Sequence, residues 1–197
     1  AAVLTPGRLP DDYIAPRAQL VAVAEGQSAT LAAVMRREDV ALQIDLLWQG
    51  RREKNHQIVA AHVPMLLHPH PRRVVVVGVG VGQTASRFLL HDVERVDCVD
   101  IEPAIFPFIA AHFGADWLRD PRVRAFADDG RTFIAHGRDL YDVVSVEVGQ
   151  TFRPGVEAFY TREFYAAARR RLAPGGLVAQ FVPLPFLDEA SLRRIVA

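Results

Sequence analysis

The sequence predicts an α/β fold, a doubly wound parallel sheet preceded by a small antiparallel β domain, and three observations support this. Half of the 197 residues are apolar, which is enough for one sizeable core. From residue 74 onward, apolar strand-like runs alternate with helical segments, as in doubly wound sheets. Before that point, short apolar runs are separated by turn residues, which is typical of hairpins.

The N-terminal strands are predicted from apolar runs over 20–24, 30–35 and 40–47. In the third run apolar and polar residues alternate, the period of a half-buried strand. A helix is predicted over 57–67, with one face formed by Ile58, His62, Met65 and Leu66 and an end at the proline-rich turn that follows.

The main body begins with a continuous β-branched run over 74–77, typical of a strand buried on both faces of a parallel sheet. Thr161 is the expected N-cap of the helix near the C-terminus, and the Pro-Gly-Gly segment 174–176 is its expected stop. Further strands are predicted over 95–99, 123–127, 141–146 and 177–182, and helices over 84–90, 103–112, 131–135 and 161–172.

These patterns divide the chain into an irregular N-terminal arm over 1–19, a small β-strand domain over 20–52 and an α/β domain over 53–197. The sequence lacks an initiator Met and stops inside an apparent helix. We therefore expect the native chain to be longer, with the C-terminal end truncated here.

A glycine-rich turn follows the first strand of the main body. Gly78, Gly80 and Gly82 open the next helix. Glycines let a ligand approach the backbone closely, and a helix N-terminus offers free N–H donors. Because the spacing is G-x-G-x-G and not the G-x-G-x-x-G of dinucleotide sites, it favours an adenosyl-sulfonium ligand over NAD. A tight turn without a ligand is the alternative interpretation.

Acidic residues follow the next two strands. Asp100, with Ile101 and Glu102 after it, is placed to accept hydrogen bonds from both ribose hydroxyls. The third strand is followed by Asp128, Asp129 and Gly130, where a carboxylate could accept a bond from an adenine amino group. In both places the acid could instead cap the following helix.

Three consecutive strand ends thus carry a glycine turn, an acid and an acid. Together they predict a cradle for a nucleoside whose sulfur points toward the fourth strand end, at Glu147.

The segments 54–65, 74–82, 99–102 and 141–147, with Asp129-Gly130, resemble the spermidine synthase (polyamine aminopropyltransferase) family in order and spacing. The segments 159–165 and 172–180 extend the resemblance, which looks closest to the branch often fused to membrane-spanning segments. It implies a Rossmann-like sheet of the S-adenosylmethionine-dependent methyltransferase type. It also implies decarboxylated or intact S-adenosylmethionine as co-substrate, an amine or polyamine acceptor, and no metal. We further expect a homodimer and a longer, membrane-fused native chain.

Carried over by residue, the resemblance implies that Gln57 contacts the aminopropyl-sulfonium side of the cofactor, Asp100 the ribose and Asp129 the adenine. Glu147 stands in place of the catalytic aspartate and would orient and deprotonate the acceptor. The family's second acid at this strand end is the amide Gln150 here. Val81 and His56 replace an aspartate and a tyrosine of the family pattern, and the expected substrate-binding residues are His56, Gln150 and Tyr160.

Composition excludes several other classes. Twenty-three basic and 23 acidic residues give no net charge, which disfavours nucleic acid as a partner. The single cysteine and the absence of a secretory leader favour the cytoplasm. Paired histidines at 68 and 70 lack a second ligand cluster, so no metal site is expected. The leading hypothesis is an aminopropyl transferase, and the alternatives are an S-adenosylmethionine-dependent methyltransferase and a non-catalytic nucleoside-binding domain.

Overall fold

A computed structural model describes residues 19–36, 38–51, 55–150, 153–183 and 188–196, which form two sheets with helices around the larger one. The expected arm over 1–19 lies outside the described residues, except that Gln19 begins the first strand. The smaller sheet is antiparallel, in the order β1-β2-β3-β4. Its strands are β1 (Gln19–Glu25), β2 (Thr30–Arg36), β3 (Asp39–Ile44) and β4 (Leu47–Arg51).

The prediction of one strand over 40–47 is wrong, because a hairpin turn separates β3 from β4. Asp45 and Leu46 have φ of 49° and 65°, the left-handed pair of a two-residue hairpin turn. The Asp45 carboxylate accepts a hydrogen bond from the backbone N–H of Thr30 at 2.8 Å and so ties the turn to β2. An apolar residue at position 46 continued the alternation and hid the turn.

The larger sheet has five parallel strands in the order β7-β6-β5-β8-β9, which confirms the predicted doubly wound fold. The strand order reverses between β5 and β8, and in such sheets ligands bind at the carboxyl ends of the strands beside this reversal. The strands are β5 (Arg73–Val77), β6 (Arg95–Asp100), β7 (Val123–Ala127), β8 (Tyr141–Val146) and β9 (Leu172–Gln180).

Helices cover both faces of the parallel sheet. Val74 and Val76 of β5 point into a core shared with the first three helices and the small sheet, whereas Val75 and Val77 face the next two helices. The helices are α1 (Asn55–Leu67), α2 (Gln83–Phe88), α3 (Ile105–His112), α4 (Gly130–His136), α5 (Arg162–Arg170) and α6 (Glu189–Val196). None of the described helices is long and apolar enough to cross a membrane.

The buried face of α1 differs from the predicted one. Ala61 and Met65 are buried, but Leu66 is 79% exposed. With 3.6 residues per turn, Leu66 lies about 140° around the helix from Ala61, whereas Met65 lies only about 40° away. Leu66 therefore does not belong to the packing face.

The end of α5 also departs from the prediction. Thr161 caps the helix as predicted, since its hydroxyl accepts a hydrogen bond from the Phe164 N–H at 3.2 Å. The Pro-Gly-Gly segment is not the stop, because the helix ends at Arg170 and the segment lies within β9. There Gly175 has φ of 80°, and the pairing of β9 with β8 shifts register. The segment is thus an irregular part of a strand.

Candidate functional site

A cleft of about 340 Å³ opens at the carboxyl ends of the parallel strands, beside the reversal between β5 and β8. This volume is at the lower end of the range of roughly 300–1,000 Å³ found for small-molecule sites. Nine of the residues singled out from the sequence line it: Gln57, Gly78, Gly80, Asp100, Ile101, Asp129, Gly130, Glu147 and Gln150.

The glycine turn forms one wall of the cleft. Gly78 and Gly80 have φ of 85° and 52°, which a residue with a side chain rarely adopts. A Cβ at Gly80 would meet no atom within 4 Å, so the backbone there is open to a ligand. A Cβ at Gly78 would approach the Val148 side chain to 3.0 Å. The turn thus provides close backbone approach at Gly80 and close packing at Gly78.

Gly82, which was expected to contact the ligand, does not line the cleft. It precedes α2 with φ of 75°, and a Cβ there would overlap the Trp117 ring. Its function in the fold is therefore to let the indole pack against the helix start.

Asp100 fixes the end of β6 to the glycine turn. Its carboxylate accepts hydrogen bonds from the N–H groups of Val79 at 2.8 Å and Glu102 at 3.1 Å. Burial raises the pKa of Asp100, although the N–H donors of Val79, Glu102 and Gly80 oppose that rise. An ionised carboxylate offers about four acceptor sites. Acceptor capacity therefore remains for hydroxyl groups of a ligand.

The two residues after Asp100 point in different directions. Ile101 is 57% exposed and lines the cleft, where it offers an apolar surface to a flat ring. Glu102 is only 2% exposed and does not line the cleft. Its carboxylate accepts backbone hydrogen bonds from Ser28 at 2.7 Å, Ala29 at 3.1 Å, Gln27 at 3.2 Å and Ala104 at 3.0 Å. Its predicted ligand contact is thus replaced by a structural link to the small sheet.

Asp129 both caps α4 and lines the cleft. Its carboxylate accepts hydrogen bonds from the N–H groups of Arg131 and Thr132, each at 2.9 Å. Burial alone would raise the pKa of Asp129, but the Arg131 guanidinium and the Thr132 N–H hold it below its usual range. Asp128 is exposed and does not line the cleft. Its predicted ligand contact is therefore not supported by the structure.

Glu147 is held at the strand reversal itself. Its backbone N–H donates to the Val77 carbonyl at 2.8 Å, so it extends the pairing of β8 with β5. Its carboxylate accepts hydrogen bonds from the hydroxyls of Ser145 at 2.9 Å and Thr84 at 3.2 Å. Burial raises the pKa of Glu147, although these two hydroxyls oppose the rise. A buried carboxylate of raised pKa is suited to accept a proton.

Two of the expected substrate-binding residues lie outside the cleft lining. The exposed His56 ring stacks on Phe181, with ring centroids 5.3 Å apart. The Tyr160 hydroxyl lies 3.0 Å from the carbonyl oxygens of both Val148 and Phe181. One hydroxyl proton can serve only one carbonyl at a time. Tyr160 therefore holds together the loops after β8 and β9 and does not contact the cleft.

The lining residues that were not predicted from the sequence include Ser28, Gln49, Thr84 and Arg153. Thr84 had a local signal, since it follows the glycine turn at the start of α2. Ser28 and Gln49 belong to the small sheet, whose docking onto the parallel sheet leaves no local pattern. Arg153 joins the two parts, because its guanidinium donates to the Ile44 carbonyl at 2.6 Å and pairs with the Asp45 carboxylate at 3.2 Å.

Among the described residues, no group of three or more His, Cys, Asp or Glu side chains could hold a metal ion. The side chains of the cleft that could hydrogen-bond a small molecule include the carboxylates of Asp100, Asp129 and Glu147, together with neutral polar groups.

Residues 53–196 match the family model described as the spermine/spermidine synthase domain. A polyamine aminopropyltransferase of Nitrosomonas europaea is 33% identical over 144 residues, 69% of this chain and 43% of the relative. That of Lachnoclostridium phytofermentans is 32% identical over 139 residues, 69% of this chain and 48% of the relative. The chain thus spans less than half the length of these relatives.

Two solved structures share the fold. A spermidine synthase in complex with the transition-state analogue AdoDATO superposes with a TM-score of 0.81 at 21% identity, over 90% of this chain and 64% of that one. The spermidine synthase of Thermotoga maritima gives a TM-score of 0.77 at 21% identity, over 90% of this chain and 62% of that one.

Proposed function

Because this chain belongs to the spermine/spermidine synthase family, we propose that it transfers an aminopropyl group from decarboxylated S-adenosylmethionine to an amine. One observation carries the proposal beyond family membership. The half-buried carboxylate of Glu147 shares a single cleft with Asp100 and Asp129 at the strand reversal. The names of the relatives and the transition-state analogue AdoDATO bound to the solved spermidine synthase are consistent with this chemistry.

The donor fits the end of the cleft formed by the strand ends of β5, β6 and β7. Asp100 would accept hydrogen bonds from the ribose hydroxyls, and Asp129 from the adenine amino group. Ile101 would pack against the adenine ring, and the open backbone at Gly80 would allow the nucleoside to approach closely. The Gln57 side chain would contact the aminopropyl-sulfonium part, since its buried Oε1 atom has no hydrogen-bond partner within the described chain.

The reaction requires a neutral amine nucleophile, although an alkylammonium group has a pKa of about 10. Glu147 would accept one proton from the incoming ammonium. The nitrogen lone pair then forms the new C–N bond at the carbon beside the sulfonium. The electrons of the breaking C–S bond pass to sulfur, which leaves as the neutral thioether methylthioadenosine. The product nitrogen carries the positive charge, and Glu147 releases its proton to water.

The test is methylthioadenosine formation from decarboxylated S-adenosylmethionine and a panel of primary amines. Glu147→Gln should lower kcat/KM by about 10²–10⁴-fold, the usual contribution of a general base. Exposed Glu163 in the first turn of α5 provides the matched control, and Glu163→Gln should leave kcat/KM unchanged. Donor binding to the Glu147→Gln protein, measured by calorimetry, should persist.

The pH profile gives a second readout. Because the base must be ionised, wild-type kcat/KM should fall as pH drops through the raised pKa of Glu147, above the usual glutamate range. The inflection at this pKa should be missing in Glu147→Gln, whose rate should follow the neutral fraction of the amine alone. The proposal would be refuted if no amine of the panel yields methylthioadenosine, or if the rate is unchanged in Glu147→Gln.

A further inference from the structure

The cleft has two chemically different ends. Asp100 ends β6 and Asp129 follows β7 on one side of β5, whereas Glu147 follows β8 on the other side. Neighbouring strands lie about 4.8 Å apart, so the backbones of Asp100 and Glu147 are separated by about 10 Å. When a nucleoside is held by the two aspartates, the space beside Glu147 therefore stays free for the second substrate. We call that end the acceptor end.

Neutral amides dominate the acceptor end. Gln49 comes from β4, Gln57 from α1 and Gln150 from the loop after Glu147, and all three line the cleft. A Cβ placed on Gly50 would lie 3.6 Å from both polar atoms of the Gln57 amide, so this amide lies directly against β4.

Little negative charge remains there for a second cation. Among the described lining residues of the acceptor end, Glu147 supplies the carboxylate and Arg153 a positive charge. The Arg153 guanidinium pairs with Asp45, so the negative charge of that aspartate is already compensated. One carboxylate can pair with one ammonium group. A second ammonium group would lose water opposite amides and a guanidinium, which is unfavourable.

We infer that the acceptor is a primary amine with a single positive charge and an uncharged remainder, not a diamine or polyamine. This inference rests on the proposed function and adds the substrate class. The reacting amine pairs with Glu147, while amide groups of the acceptor end donate to and accept from neutral polar atoms of the tail. The Gln49 and Gln150 amides, which the donor does not use, can hydrogen-bond a hydroxyl tail in several orientations, whereas they offer no counter-ion to an ammonium tail.

The first test compares three acceptors of matched length with wild-type protein and decarboxylated S-adenosylmethionine: n-butylamine, 4-amino-1-butanol and 1,4-diaminobutane. Methylthioadenosine is quantified by mass spectrometry, and rates are expressed per total concentration of reactive amino groups. We expect kcat/KM for the two monoamines to exceed that for the diamine by at least about tenfold, since a buried charge without a counter-ion is strongly disfavoured. A diamine that reacts equally well or better would overturn the inference.

The second test restores a charge. Gln150→Glu adds a carboxylate of similar size to the acceptor end and should raise the diamine-to-butylamine ratio of kcat/KM by at least about tenfold. The control is Gln19→Glu on exposed β1, which changes the net charge equally and should leave the ratio unchanged. An unchanged ratio in a folded Gln150→Glu protein would contradict the inference.

The same assays distinguish a wrong acceptor class from a wrong reaction. If methylthioadenosine forms and the diamine is preferred, the acceptor class is wrong and the proposed function stands. If no amine yields methylthioadenosine, the proposed function and the acceptor class both fall.

Discussion

The Glu102→Gln substitution tests the link between the small sheet and the cleft. In the wild type each Glu102 carboxylate oxygen accepts two backbone N–H groups, from Gln27 and Ala104 on one side and from Ser28 and Ala29 on the other. An amide keeps one acceptor oxygen and presents its NH₂ group to the other pair. Two buried or half-buried N–H donors thereby lose their acceptor.

The size of the effect follows from that count. A buried donor left without a partner costs about 1–3 kcal/mol. Because water can reach part of this turn, we expect the loss of two acceptors to cost about 2–4 kcal/mol in total. We expect this loss in the free energy of unfolding from urea titration at neutral pH. Glu94→Gln is the matched control, because that carboxylate is 57% exposed and should change stability by less than about 0.5 kcal/mol.

The pH dependence has a defined sign. Burial alone would raise the pKa of Glu102, but the N–H donors of Ser28, Ala104, Gln27 and Ala29 outweigh it and hold the pKa below its usual range. Its stabilising effect is therefore complete above the unfolded-state pKa of about 4.3 and is lost as pH falls through the folded-state value. The difference between wild type and Glu102→Gln should shrink across that acidic range.

Hydrogen exchange supplies the local readout. The amides of Gln27, Ser28 and Ala29 should exchange faster in Glu102→Gln than in the wild type, because their acceptor is weakened or lost. Equal stability at neutral pH together with unchanged exchange over 27–29 would refute the proposed link.

Two further substitutions test packing in and beside the parallel sheet. Asp97→Asn should lower the free energy of unfolding by about 3 kcal/mol in urea titration, because the fully buried carboxylate accepts hydrogen bonds from Nε and Nη2 of Arg124 at 2.7 and 2.8 Å and from the Tyr141 hydroxyl at 2.7 Å. A loss under about 1 kcal/mol would show that this network contributes little. Gly82→Ala should lower the thermal midpoint and cost about 1–3 kcal/mol, since φ of 75° and the Trp117 ring both exclude a Cβ. An unchanged midpoint would contradict the packing described for that turn.

The sequence predicted best those features that depend on the parallel sheet alone. Asp100, Asp129 and Glu147 follow strands, and the carboxyl ends of parallel strands meet at one edge, so strand positions were enough to bring these acids to one cleft. Strand positions alone do not show in which direction each side chain points. Ile101 and Glu102 are adjacent, yet one lines the cleft and the other anchors the small sheet.

Contacts between the two sheets could not be predicted for a physical reason. Ser28 and Gln49 reach the cleft only because the small sheet docks against the parallel sheet, and such long-range packing leaves no local periodicity. The turn at Asp45 and Leu46 was missed because an apolar residue in a left-handed conformation continues the strand pattern. Arg153 could be placed only once that turn was known, since it binds the Ile44 carbonyl.

The most direct test of the account is calorimetric titration of the same protein with intact and with decarboxylated S-adenosylmethionine. The intact compound carries an additional carboxylate on the chain that would extend toward Glu147, a half-buried carboxylate whose hydrogen-bond partners among the described residues are the neutral hydroxyls of Ser145 and Thr84. We predict that the decarboxylated compound binds at least about tenfold more tightly, because like charges in a desolvated cleft repel. Equal or tighter binding of the intact compound, or binding of neither, would contradict an aminopropyl-transfer site.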